Sequence, residues 1–141
     1  MGRRTIRDGV YKTSWNDEGY DYDHGGITAT TVRIGESDDD AAPVVINTAL
    51  GPNVNVPLHS HPGWTLLVVL EGEFTMDDHE SYGPGDIRLM KPETLYSVTA
   101  GAEGVRFIEF FQAKDAIYGG TFADESDPRA MFLREGVRSK A

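Results

Sequence analysis

Cysteine is absent from this 141-residue chain. That excludes a disulfide framework, a cysteine zinc finger, an iron–sulfur cluster and a thiol nucleophile. Basic residues are few: 13 Lys and Arg stand against 23 Asp and Glu, for a formal charge of −10. Neutralising phosphate takes a basic face, so no nucleic-acid partner is expected. Long apolar runs are missing as well. The longest, Leu66 to Leu70, is far too short to cross a bilayer, and no membrane partner is expected. Met1-Gly2-Arg3-Arg4 leads into polar sequence without an apolar stretch of signal-peptide length, so a cytoplasmic protein is expected. The acid gathers in Asp17 to Asp23, Asp38-Asp39-Asp40 and Asp77 to Glu80, of which the first two runs read as solvated loops.

Helical periodicity is scarce too, and what replaces it is alternation. Ile27–Ile34, Val44–Leu50, Val54–His61, Trp64–Leu70 continuing to Met76, Ile87–Met90, Leu95–Val98 and Val105–Gln112 each read as strands. Gly51-Pro52, Glu71-Gly72 and Gly83-Pro84-Gly85-Asp86 punctuate them. Short strands separated by Gly/Pro turns predict an all-β sandwich or barrel over residues 27–115. Before it, residues 1–26 mix Tyr11, Trp15, Tyr20 and Tyr22 with charges and read as an arm laid on a surface. After it, residues 116–141 form an extension. There Ser126-Asp127-Pro128 offers a cap and a first-turn proline, Arg129 to Glu135 a short helix, and Gly136 its stop.

The segment that speaks to chemistry is His59-Ser60-His61-Pro62-Gly63. Histidines at i and i+2 on a strand point to one face. A first-row metal takes two to four such nitrogen and oxygen donors at about 2 Å, so the pair predicts a metal site and raises the question of its other ligands. Glu109 is a second candidate. Period 2 sets it beside Val105, Phe107 and Phe111 on an apolar face, where a carboxylate has to be paired or neutral. A salt bridge to Arg88 or Arg106, a solvated face, or an acid–base role in the barrel each fit. Trp64, Phe74, Met90 and Phe107 suit either core or pocket wall.

Gly51, His59-x-His61, Gly72 and then Gly85-Asp86 with Pro92 resemble the two cupin motifs. The resemblance spans Gly51 to about Ser97 and implies a double-stranded β-helix, the jelly-roll barrel that usually holds one metal between the motifs. Two usual ligands are replaced. Thr65 stands where the first motif has glutamate, and Tyr96 where the second has histidine. Within the cupins, His-x-His-Pro-Gly followed by an apolar strand, a glycine and an acidic stretch is similar to the acetylacetone and dihydroxyacetophenone dioxygenases. That likeness implies iron, O2 and carbon–carbon cleavage beside a carbonyl, and it aligns Asp78 with a carboxylate near the metal.

The expected ligand set is therefore His59 and His61, with Tyr96 and Asp78 as candidates. Tyr96 reads equally as a phenolate ligand, a hydrogen-bond donor or filler, and Asp78 also as an ordinary turn acid. His79 in the same turn and His24 read as loop residues. Tyr96 and Glu109 are the catalytic candidates. The cofactor expected is a divalent ion, with Fe(II) first and Zn, Ni or Mn behind it. The substrate expected is a small enol, hydroxyketone or diketone-like molecule. A non-oxidative isomerase, cyclase, dehydratase or decarboxylase using Tyr, Glu and His is the alternative, and a non-catalytic binding module is the third reading. The aromatic arm and the terminal helix are suited to a homodimer.

Overall fold

The computed structural model describes residues 4–15, 20–33, 35–36, 38–113, 121–124, 126 and 138–139. Among these residues every regular element is a strand. Two sheets form. The small one pairs β1 (Arg4–Arg7) with β2 (Val10–Lys12). The large one contains β3 (Tyr20–His24), β4 (Ile27–Arg33), β5 (Val44–Leu50), β6 (Asn55–Ser60), β7 (Thr65–Met76), β8 (Ser81–Tyr82), β9 (Ile87–Met90), β10 (Tyr96–Phe111), β11 (Thr121–Phe122) and β12 (Arg138–Ser139). All its pairings are antiparallel, as expected of a jelly roll.

The strand β10 organises the whole. Its first half pairs with β6 on one side and the end of β7 on the other. Its second half pairs with β5 and the start of β7. The sequence splits this strand in two at its glycines, but the chain runs through. Gly72 (φ 73°) and Gly104 (φ 80°) bend β7 and β10 at one crossing point. A Cβ on Gly72 would lie 2.2 Å from the Gly104 carbonyl oxygen, so the turn signal there marks a shared kink and no break. Ile27, Leu50, Leu67, Val69, Phe74, Met76, Met90, Tyr96, Val98 and Phe107 pack into one cluster inside.

One boundary differs from the sequence reading. Tyr20–His24 pairs with Ile27–Arg33 over its full length, so the segment read as arm contributes a strand to the sheet, turning at Gly25-Gly26. The helix expected at Arg129 to Glu135 lies outside the described residues. No helix among the described residues is long and apolar enough to cross a membrane.

Candidate functional site

Three elements bring the site together. His59 ends its side of β6 opposite Tyr96, the first residue of β10, and His61 follows just past the strand. All three side chains are buried. The His59 and His61 rings meet edge to face with centroids 5.2 Å apart, and the Tyr96 ring lies 4.3 Å from that of His59. Phe111 closes on His61 from the far end of β10, at 5.0 Å. Thr65, in the glutamate position of the cupin motif, is buried between Met90 and Phe111 on the neighbouring strands.

Glu109 completes the group. The Tyr96 hydroxyl lies 3.1 Å from His61 Nε2 and 3.3 Å from Glu109 Oε2. The second contact is long for an O–H···O bond, but both lie within reach of proton transfer once tightened by a ligand. With Glu109 ionised, Tyr96 donates to the carboxylate and His61 Nε2–H donates to the phenol oxygen. With Glu109 protonated the chain reverses, the carboxyl donating to Tyr96 and Tyr96 to His61.

Burial sets the charges. It pushes the Glu109 carboxyl up to about 7, against the smaller downward pull of the Tyr96 hydrogen bond, so acid and base forms coexist near neutrality. Burial raises the Tyr96 phenol well above its ordinary range, and the Glu109 charge adds to this. With no ion beside it, Tyr96 therefore stands as a neutral donor. Burial also lowers His59 to about 4, so its imidazole is neutral. Its Nδ1 lies 2.7 Å from the Pro57 carbonyl oxygen, to which it donates, leaving Nε2 as the basic nitrogen.

The other sequence candidates fall elsewhere. The strand β7 stops at Met76, and a turn follows in which His79 takes a positive φ of 69°. Asp78 sits in that turn, 46% exposed. One of its oxygens is 2.8 Å from Arg88 and the other accepts from the Glu80 amide, and the guanidinium holds its carboxyl below the usual range. This corrects the expectation of a ligand beside the histidines, because the strand parity that carried Asp78 inward ends two residues before it. Glu109 forms no salt bridge to Arg88 or Arg106. Arg88 binds Asp78 and the Tyr82 hydroxyl, while Arg106 donates to Asn47 and lies over Trp15. His24 closes β3, and Phe74, Met90 and Phe107 belong to the packed core. Arg88 is the residue that the sequence reading undervalued, and its signal was the alternation that places it beside buried Met90.

The donor set fits a divalent ion as an open site. It offers two buried imidazoles, that of His59 neutral and with its tautomer fixed, while Glu109 stands one hydroxyl away. Among the described residues no group of three or more His, Asp or Glu side chains is gathered to hold a metal, so water or substrate would complete the coordination. Two apolar clefts of about 430 and 420 Å³ lie elsewhere, one under Trp15, Val32 and Phe110, the other under Trp64, Leu66 and Leu89.

No protein-family model and no curated protein sequence matches the chain. Solved structures do. The oxalate decarboxylase of Bacillus subtilis at pH 4.6 is 19% identical, with a TM-score of 0.64 over 78% of this chain and 31% of that one. A further structure of that enzyme, concerned with its Mn(II) centres, is 21% identical with a TM-score of 0.60 over 71% of this chain and 28% of that one. An RmlC-like cupin from Shewanella frigidimarina NCIMB 400 is 15% identical, with a TM-score of 0.62 over 82% of this chain and 97% of that one. The chain thus spans about a third of the length of oxalate decarboxylase and nearly all of the RmlC-like cupin. The fold is a cupin jelly roll.

Proposed function

We propose that this protein is a small-molecule enzyme of the cupin fold that moves a proton on an oxygenated substrate, an enol, hydroxyketone or carboxylic acid, beside a divalent ion held by His59 and His61. The observation that carries this reading is the chain His61–Tyr96–Glu109, in which the histidine and tyrosine are buried and the Tyr96 hydroxyl lies between His61 Nε2 and the Glu109 carboxyl, whose pKa burial raises to about 7. A general acid–base group works best with its pKa near the operating pH, and Glu109 meets that condition. Tyr96 keeps its own proton, orients the carboxyl and relays its state to His61. The two histidines, buried and packed edge to face, are suited to bind an ion. A divalent ion there supplies Lewis acidity that stabilises a developing enolate. The Mn(II) centres of oxalate decarboxylase support Mn(II) as readily as the Fe(II) expected from the dioxygenase likeness. The proton chain favours non-oxidative chemistry over oxygen insertion. A homodimer in the cytoplasm belongs to the same proposal and is checked by sedimentation velocity and by fractionation.

Proton exchange tests it. Pyruvate, hydroxyacetone and acetylacetone are incubated in D2O with protein loaded with Mn(II), Fe(II) or Zn(II), and loss of the carbon-bound proton is followed by NMR. Exchange is expected with at least one ion, and Glu109→Gln is expected to slow it about 10²–10⁴-fold, the usual worth of a general acid–base group. No exchange with any ion contradicts the proposal. Oxygen uptake with cleavage of acetylacetone would replace it with the dioxygenase reading.

A further inference from the structure

Strict alternation along β6 would turn the two histidines away from the interior. Val54 and Val56 pack against the core cluster, and period 2 from them carries Leu58 inward and sends His59 and His61 out. The structure shows the reverse: Leu58 is 39% exposed, while His59 and His61 are buried. The register locates the switch. Thr99 faces Asn55 and Val98 faces Val56, a ladder that would set Tyr96 against Leu58, yet Tyr96 faces His59. Two residues of β6, Pro57 and Leu58, thus stand opposite one residue of β10, Ser97. That is a β-bulge, and its extra residue moves the side chains beyond it to the other face. Proline suits the place, because a bulge takes a residue out of the ladder and proline has no N–H to leave unpaired.

Ser97 holds the bulge in place. Its hydroxyl donates to the Val56 carbonyl at 3.0 Å, and Asn55 Nδ2 donates to that hydroxyl at 3.0 Å and lies 2.9 Å from Thr99 Oγ1. On the side of β7 the Ser97 backbone is bound in both directions to Asp77. Its amide donates to the Asp77 carboxylate at 3.0 Å, and its carbonyl accepts from the Asp77 amide at 3.1 Å. Within the bulge, the Pro57 carbonyl oxygen lies 2.7 Å from His59 Nδ1. One local distortion therefore does three things. It turns both imidazoles inward, sets Tyr96 opposite His59, and supplies the acceptor that fixes the His59 tautomer. Resting on the reading in which the two histidines hold a divalent ion, we propose that the Pro57-Leu58 bulge is the aiming device of that site. Ser97, acting through the Val56 carbonyl, is its positioning residue.

The His59 tautomer tests this without any ion. In the metal-free full chain, nitrogen–proton correlation NMR of the histidine rings is expected to show His59 protonated on Nδ1. Ser97→Ala is expected to keep the β-sheet circular dichroism of the wild type while His59 exchanges between tautomers. Its Zn(II) binding by calorimetry should weaken about tenfold, the lower end of what the loss of a supporting hydrogen bond costs at an ion site. Ser97→Thr, which keeps the hydroxyl, should restore both tautomer and affinity. Deletion of Leu58 removes the bulge and should turn the histidines outward. It is expected to abolish Zn(II) binding and to make His59 and His61 reactive towards diethyl pyrocarbonate. Should the deletion fail to fold, the two Ser97 variants decide. A Ser97→Ala protein with the wild-type tautomer and affinity overturns the proposal, as does a Ser97→Thr protein that recovers neither. A tautomer that shifts in Ser97→Ala while the wild type takes up no divalent ion sinks the ion reading alone. Zn(II) binding by the wild type with a tautomer unmoved in Ser97→Ala sinks this inference alone.

Discussion

The two faces of the sheet β9–β7–β10 each carry residues of the kind expected on the other: two ionisable side chains stand among the buried apolar ones inside, and large apolar ones are exposed outside. The inner face carries Arg88 and Glu109 around Leu67, while on the outer face Ile87 and Leu89 are 61% exposed beside Phe110. An antiparallel sheet with one solvated side usually turns polar residues outward and apolar ones inward. A fold that sends charge into its interior bears a desolvation cost that packing alone does not return. Proteins keep such arrangements where the buried groups act on something. Under the proposed function the buried ionisable groups are the working part of the interior, and Phe74, Val98 and Phe107 belong to the core packed around them.

The widest test of the contrast is paired truncation. Leu67→Ala removes a fully buried side chain between Arg88 and Glu109 and is expected to cost about 2–5 kcal/mol in chemical denaturation. Leu89→Lys on the outer face is expected to stay within about 0.5 kcal/mol. Equal losses at the two positions would erase the distinction between the faces.

Titration sharpens it. Glu109 holds its proton more tightly folded than unfolded, so its contribution to stability is present below about 4.5 and lost as pH rises through about 7. His59 does the reverse: its contribution is present above 6.5 and lost as pH falls through about 4. Each is worth about 3 kcal/mol at full effect, and the two slopes oppose each other between roughly pH 4.5 and 6.5. The wild type should thus show a shallow pH dependence from these groups. Glu109→Gln is expected to gain stability as pH rises from 4 to 6.5 relative to wild type. His59→Asn is expected to lose it from 4.5 to 7. Parallel profiles in urea unfolding at matched pH would contradict both assignments.

Metal retention gives the test at the histidines. After loading and desalting, wild type is expected to carry Mn(II), Fe(II) or Zn(II) by elemental mass spectrometry, and the His59→Ala/His61→Ala pair is expected to carry none. Equal content in both would remove the ion from the site.

Much of this was legible in the sequence where period 2 is strict. Val44–Leu50 and Ile87–Met90 are strands with the bounds that alternation suggests, and Glu109 lies on the face shared with Phe107 and Phe111. Alternation failed where a glycine bends a strand without ending it, as at Gly104 in β10. It failed again where charge hid a strand, as in Tyr20–His24, whose Tyr and Asp alternate but whose acidity reads as a loop. Asp78 shows the limit of parity, which holds only while the strand continues. The contact of Tyr96 with both His61 and Glu109 joins positions 35 and 13 residues apart, and no local pattern reports it.

The most direct test of the account is the titration of Glu109 itself, followed through its side-chain carbon by 13C NMR. A midpoint near 7 is expected, vanishing in Glu109→Gln and moving higher in Tyr96→Phe, where the hydrogen bond that lowers it is gone. A midpoint near 4.5, unmoved by Tyr96→Phe, would mean an ordinary solvated carboxylate and would contradict the proton chain at the centre of the site.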